Sequence, residues 1–270
     1  TFRIVAKHDT ALFAVGEPVT APDGAALRSI SGGSVLLEGD LSNYQVTSYA
    51  TRVGAAQLQA AGEDYPAEVA NAYLQLPDEL PQRVRQMAER VTRGALTPYE
   101  KVLRVESYLR ANYQYDPYVS VPPEGRDAVD FFLFDAPGGF CTYYASAMAV
   151  LLRVEGVPAR VASGYLMGDY DRAEGAYRVP GAASHTWVEV YFPGYGWVEF
   201  EPTSAFARIT YPGETEAVPQ RLPEIPPLEE FPGLQVALWT AGILAGLGLA
   251  WIVLRRLGMP GLSELWARYQ

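Results

Sequence analysis

In "ASHTWVEVYFPGYGWVEFEPTS", Ala183 to Ser204, the side chains alternate with the two-residue period of a strand. His185, Trp187 and Glu189 fall on one face; Thr186, Val188 and Val190 fall on the other. "PGYG" then turns the chain, and "WVEFEP" returns as a second strand that Pro202 ends. The product is an antiparallel hairpin with an imidazole on one arm and two carboxylates, Glu199 and Glu201, on the other. Both acids share a face of the returning strand, so periodicity alone does not choose between them. The plainer reading is a solvated strand face with a structural histidine.

Working upstream, "GGFCTYYASAMAVLL", Gly138 to Leu152, holds the only cysteine in the chain. Gly138 and Gly139 predict a tight turn that places Cys141 at the first turn of a helix. Ala145, Met148, Ala149 and Leu152 follow Cys141 at helical spacing, so the thiol side of the helix faces protein. Free N–H groups and the positive dipole end at a helix start favour a thiolate. The competing reading is a small core residue, because unpaired cysteines are among the most buried side chains. The order of cysteine at a helix start, histidine on a strand and acid on the next strand supplies nucleophile, base and orienting group for covalent acyl chemistry. The other histidine, His8, has no partner motif.

Around this pair, "PQRVRQMAERV" predicts a helix with Val84, Met87, Ala88 and Val91 on one apolar stripe. "TPYEKVLRVESYLRANY" opens with Thr97, Pro98 and Glu100, a capping box with proline at the first helical position. "DAVDFFLF" is a short helix before the glycine pair. Residues 1–76 read as a β-rich region, with "SVLLEGD" and "NYQVTSYATRV" as strands and "PDG" and "SGG" as turns. Arg160, Tyr165, Trp187 and Trp197 read as structural, and "GDYDRAEG" as a polar hairpin loop without the register of a calcium loop.

The last third changes character. Residues 208–233 are rich in Pro and Glu and read as a linker. "LQVALWTAGILAGLGLAWIVL", Leu234 to Leu254, is 21 residues without a charge, about 31 Å as a helix, which predicts a membrane span. Arg255 and Arg256 follow at once, so residues 255–270 read as the start of a cytoplasmic tail and everything before Leu234 as extracytoplasmic. The net charge of −10 argues against a nucleic-acid partner, since nothing would neutralise a run of phosphates. One cysteine excludes a disulfide framework. No pattern calls for a metal or cofactor. The absence of an initiating methionine points to a fragment.

The run from "DFFLF" through "GGFCTYYASAMAVLLRVEGVPARVASGYL" to "HTWVEVYFPGYGW" and "EPT" resembles the bacterial transglutaminase-like superfamily, and within it the membrane-anchored branch with an extracytoplasmic core. The resemblance covers about residues 80 to 204. It implies an α+β, papain-like transglutaminase core over residues 77–207, with the cysteine helix packed on an antiparallel sheet. It also implies Cys141 as nucleophile, His185 as base and general acid, and Glu201 as orienting acid. The family usually has aspartate at that position, and Glu199 is the fallback. The implied activity is acyl transfer from a glutamine-type carboxamide of a protein or peptide to an amine, through a thioester. The alternatives are a cysteine peptidase or amidase with the same triad, and a non-catalytic relative that binds peptides or cell-wall strands. In that branch further spans precede the soluble region.

Overall fold

A computed structural model describes residues 2–3, 12–30, 34–136 and 138–214. All of them lie within one unit, Thr1–Leu222. The span expected at Leu234–Leu254, the tail after it and most of the linker lie outside the described residues. No helix among the described residues is long and apolar enough to cross a membrane.

The N-terminal part is built of short antiparallel pairs. β1 (Phe2–Arg3) pairs with β5 (Asn43–Tyr44), β2 (Glu17–Thr20) with β6 (Thr47–Tyr49), and β3 (Ala25–Ile30) with β4 (Ser34–Gly39). Leu12, Leu37 and Tyr44 form its small core. The Tyr44 hydroxyl ties that core to the incoming chain by accepting from the Phe13 N–H at 2.6 Å and donating to the Phe13 carbonyl at 3.0 Å.

The region read as β-rich ends in two helices, α1 (Ala55–Ala60) and α2 (Ala67–Tyr73). Alanine supplies the helix propensity there. The Gln57 side chain accepts from the Gly54 N–H at 2.9 Å and closes the first turn of α1. "NYQVTSYATRV" forms only β5 and β6, two short pieces rather than one strand.

Helices α3 (Gln82–Thr92), α4 (Pro98–Asn112) and α5 (Ala128–Phe134) follow, with β7 (Gln114–Tyr115) between α4 and α5. Val84, Met87, Ala88 and Val91 are buried, as the stripe on α3 requires. At the start of α4 the Thr97 hydroxyl accepts from the Glu100 N–H at 3.2 Å. The Glu100 carboxylate reaches one residue further back than a capping box prescribes, accepting from the Leu96 N–H at 2.7 Å. Asp127 caps α5 through the Asp130 N–H.

The glycine pair is a strand rather than a turn. β8 (Gly138–Gly139) runs parallel to β7, and neither glycine has a positive φ. A Cβ at Gly138 would stand 2.4 Å from the Gln114 carbonyl oxygen, and one at Gly139 would stand 2.8 Å from the Phe132 ring. Glycine is required here by close approach, not by conformational freedom.

Next comes α6 (Cys141–Val154), the helix around which the domain is built. It packs against α3, α4 and α5, and against β9 (Ala159–Tyr165) and β12 (Ser184–Phe192). Tyr144, Ala145, Ala147, Met148, Leu151 and Leu152 are buried on it, so it is apolar nearly all round, as a central helix must be. β12 is the middle strand of an antiparallel sheet ordered β13–β12–β9, where β13 is Gly196–Phe200. Thr186, Val188, Val190 and Phe192 are its buried face. "GDYDRAEG" forms a hairpin of β10 (Asp169–Asp171) and β11 (Ala176–Arg178).

Residues 208–214, assigned to the linker from composition, are held against this domain. Arg208 pairs with Glu106, the Tyr211 hydroxyl donates to the Glu199 carbonyl, and the Pro212 carbonyl accepts from the Ala55 N–H at 2.9 Å.

Candidate active site

Cys141 is the first residue of α6, with Phe140 at the N-cap, so its half-buried side chain sits where the dipole favours a negative charge. Its neighbours are the first two residues of β12's buried end. The His185 imidazole and the N–H and hydroxyl of Thr186 are the polar groups that act on the thiol. Burial pushes the thiol up, but the imidazole bond, the imidazolium charge and the two Thr186 donors outweigh it. The result holds Cys141 below its ordinary value of 9.0.

His185 carries the complementary shift. Burial pulls it down, yet the bonds and charges of Cys141 and Glu201 push it up to about 9. The two opposed shifts both favour the thiolate–imidazolium form of the pair over the neutral one. His185 is only 2% exposed although it occupies the half-buried face of β12. The Phe206 ring covers it at 4.3 Å, and the Trp187 indole lies nearly parallel to it, at 19° and 6.4 Å.

Glu201 lies just past the end of β13 and is 4% exposed. Its Oε2 is 2.5 Å from His185 Nε2, and its Oε1 accepts from the Thr203 N–H at 2.8 Å. Nε2 being taken, Nδ1 is the ring nitrogen left for the thiol; it is buried and makes no hydrogen bond among the described residues. Glu199 is not part of this chain of contacts. It faces Glu189 across the hairpin, and its side chain is exposed. The structure thus brings together Cys141, His185 and Glu201, and separates Glu199 from them. His8 lies outside the described residues.

Several contributors have no sequence motif. Thr186, on the face of β12 opposite His185 in the sequence pattern, lowers the thiol through its N–H and hydroxyl. Gly164 lies opposite His185 and leaves room for Trp187. Glu106 is fully buried on α4 and accepts from the Glu201 N–H. The signal for Glu106 was present: it interrupts the apolar stripe of Val102, Leu103, Val105 and Leu109 with a charge. Among the described residues no cluster of three or more His, Cys, Asp or Glu side chains is placed to hold a metal.

A cysteine at a helix start, beside an imidazole whose other nitrogen meets a buried carboxylate, is the arrangement of side chains that covalent thiol chemistry uses. Residues 85–202 match the profile of the transglutaminase-like superfamily, and this segment of the chain belongs to it. A protein of Bacillus subtilis, YebA, is 46% identical over 140 residues, which is 50% of this chain and 19% of that protein. A protein-glutamine gamma-glutamyltransferase of Pseudomonas aeruginosa is 39% identical over 131 residues, 48% of this chain and 19% of that protein. The chain therefore spans about a fifth of the length of these curated relatives. The solved periplasmic domain of TgpA from Pseudomonas aeruginosa is 29% identical, with a TM-score of 0.49 over 69% of this chain and 66% of that one.

Proposed function

We propose that this domain is a cysteine acyltransferase of transglutaminase type. The observation that carries the reading is the buried His185 Nε2–Glu201 pair beside the Cys141 thiol at the start of α6, with the thiol lowered and the imidazole raised by one another. The Cys141 thiolate attacks the carbonyl carbon of a glutamine-type carboxamide on a protein or peptide. His185 gives its proton to the departing nitrogen, ammonia leaves, and a thioester remains on Cys141. A primary amine such as a lysine side chain then attacks the thioester. His185 takes the proton of that amine, an amide forms, and the thiolate is released. The Cys141 N–H, free at the helix start, is available to the oxyanion of each tetrahedral intermediate.

The glutaminyl donor is favoured over a peptide bond by the name of the Pseudomonas relative. The domain works outside the membrane, anchored by Leu234–Leu254, in keeping with the uncharged run there and the arginine pair after it. The deciding experiment measures amine incorporation, ammonia release and peptide cleavage side by side on glutaminyl peptides. Amine incorporation lost in Cys141→Ala is the expected result. Ammonia release without incorporation makes the enzyme a deamidase, and cleavage alone makes it a peptidase. No Cys141-dependent turnover of any kind would leave a binding domain.

A further inference from the structure

We propose that Glu106 and Arg110, one turn apart on α4, are positioning residues that fix the backbone of Glu201 and so the reach of its carboxylate to His185. The proposal rests on the acyl-transfer reading of the site. Both backbone polar groups of Glu201 are held by these two side chains. Glu106 Oε1 accepts from the Glu201 N–H at 3.1 Å, and Arg110 Nη1 donates to the Glu201 carbonyl at 2.9 Å. Arg110 also donates to the carbonyls of Thr203 at 2.7 Å and Phe206 at 2.8 Å.

The segment so held touches the imidazole twice, through the Glu201 carboxylate and through the Phe206 ring. Glutamate has three rotatable side-chain bonds, and its carboxylate is directed only where its backbone is fixed. The Thr203 N–H pins Oε1, and the clamp from α4 places the two residues, Glu201 and Thr203, between which that bond runs.

Stability does not account for Glu106. It is 0% exposed in mid-helix, its second oxygen is 2.5 Å from Arg208 Nε, and Arg208 in turn pairs with Glu214. Replacing a buried ion pair by apolar residues of similar volume is often neutral or stabilising. What an apolar side chain at position 106 cannot do is accept from the Glu201 N–H. The geometry of the 201–206 segment is the property that needs this carboxylate.

The test follows His185 itself in the 270-residue chain. With only two histidines in the sequence, the imidazole titration of His185 is resolved by NMR, and iodoacetamide reads the thiol across the same pH range. Glu106→Leu removes the acceptor. It should lower the His185 midpoint and slow Cys141 alkylation near neutral pH, with a shift of about one unit corresponding to about tenfold in rate. Glu106→Gln keeps an acceptor for the Glu201 N–H and should fall between Leu and wild type. Val91→Ala, a core change on α3, should lower Tm and leave both readouts in place. Where Glu106→Leu does not fold, Arg110→Met, which loses the bonds to three carbonyls and the charge beside Glu106, gives the same reading. Wild-type titration and alkylation in folded Glu106→Leu, or in folded Arg110→Met where Glu106→Leu does not fold, would overturn the proposal. If His185→Ala is alkylated as fast as wild type, the triad reading itself fails and takes the clamp with it. That outcome differs from a failed clamp, in which His185→Ala is slow and the α4 variants are not.

Discussion

Gly164 lies directly across the β9–β12 ladder from His185, and a Cβ there would stand 2.9 Å from a ring carbon of Trp187. The missing side chain is the space in which the indole lies beside the imidazole. An apolar wall on that face keeps water from competing for the imidazolium and raises the weight of its contacts with Cys141 and Glu201.

Gly164→Ala therefore moves the Trp187 ring or the strand that carries it. Overpacking of this size costs about 1–3 kcal/mol, so the chain should still fold with a lowered Tm. Amine incorporation should fall further than stability does, on the order of tenfold, if the indole placement supports the ion pair. Thermal melts beside kcat for Gly164→Ala separate the two effects. A wild-type kcat with a shifted Tm would make the glycine a packing feature alone.

The opposed shifts of Cys141 and His185 set a pH window. The thiol is held below 9.0, so thiolate appears at lower pH than in a free cysteine; the imidazole keeps its proton to about 9. Alkylation of Cys141 should rise through a midpoint below 9.0. Acyl transfer should be populated between that midpoint and about 9, then decline as His185 loses the proton it gives to ammonia. His185→Ala removes the two imidazole contributions that lower the thiol, so its alkylation midpoint should move up. An alkylation curve that does not change in His185→Ala would show a thiol set by the helix end alone.

Glu201 and Glu199 are separated by their surroundings, not by their type. Glu201→Gln keeps the shape but leaves His185 Nε2 without an anion, and should lower kcat by about a hundredfold to ten-thousandfold, the range seen when an orienting acid is neutralised. Glu199→Gln should stay within about threefold, as expected of an exposed residue outside the contact chain. Glu201→Asp is the more informative change. Its carboxylate is one methylene shorter on a backbone held by Glu106 and Arg110, so it should not regain the 2.5 Å approach to Nε2, and should lose about tenfold. Full activity in Glu201→Asp would show that the segment moves to meet the ring.

The helix of Cys141 and the hairpin of His185 were legible because each follows one period: 3.6 residues behind Cys141, two residues through Val188 and Val190. Their pairing was legible only as order along the chain and as family resemblance. Periodicity could not separate Glu199 from Glu201, because what separates them is the end of β13, the Thr203 N–H and the buried side chains of a helix almost 100 residues earlier. Non-local contacts of that kind leave no local pattern; a charge in the apolar stripe of α4 was the one trace. The two early helices were missed for a different reason: short alanine-rich turns lack a long apolar period. The function of the glycine pair was missed because a glycine needed for close approach and a glycine needed for a turn are spelled alike.

That last ambiguity yields a test at the entrance to the site. Gly138 and Gly139 carry the chain into Cys141, and both are buried in β8. Alanine at 138 puts a methyl 2.4 Å from the Gln114 carbonyl oxygen, a backbone atom that cannot rotate away, so the parallel β7–β8 pairing must open. Alanine at 139 meets the Phe132 ring at 2.8 Å and the Tyr143 Cβ at 2.9 Å. Tyr143 lies two residues along α6 from the nucleophile, so relief of that contact tilts the helix start that sets the thiol. Gly139→Ala should fold with a loss of about 1–3 kcal/mol and show slower Cys141 alkylation. Gly138→Ala should lose more stability than Gly139→Ala, because its obstacle is backbone and not a ring that can swing. If these glycines served a turn in the left-handed region, Gly138→Asn would be better tolerated than Gly138→Ala, since asparagine adopts that region more readily. Close approach predicts the reverse, because asparagine is the larger residue, and denaturant melts of the two variants decide between them.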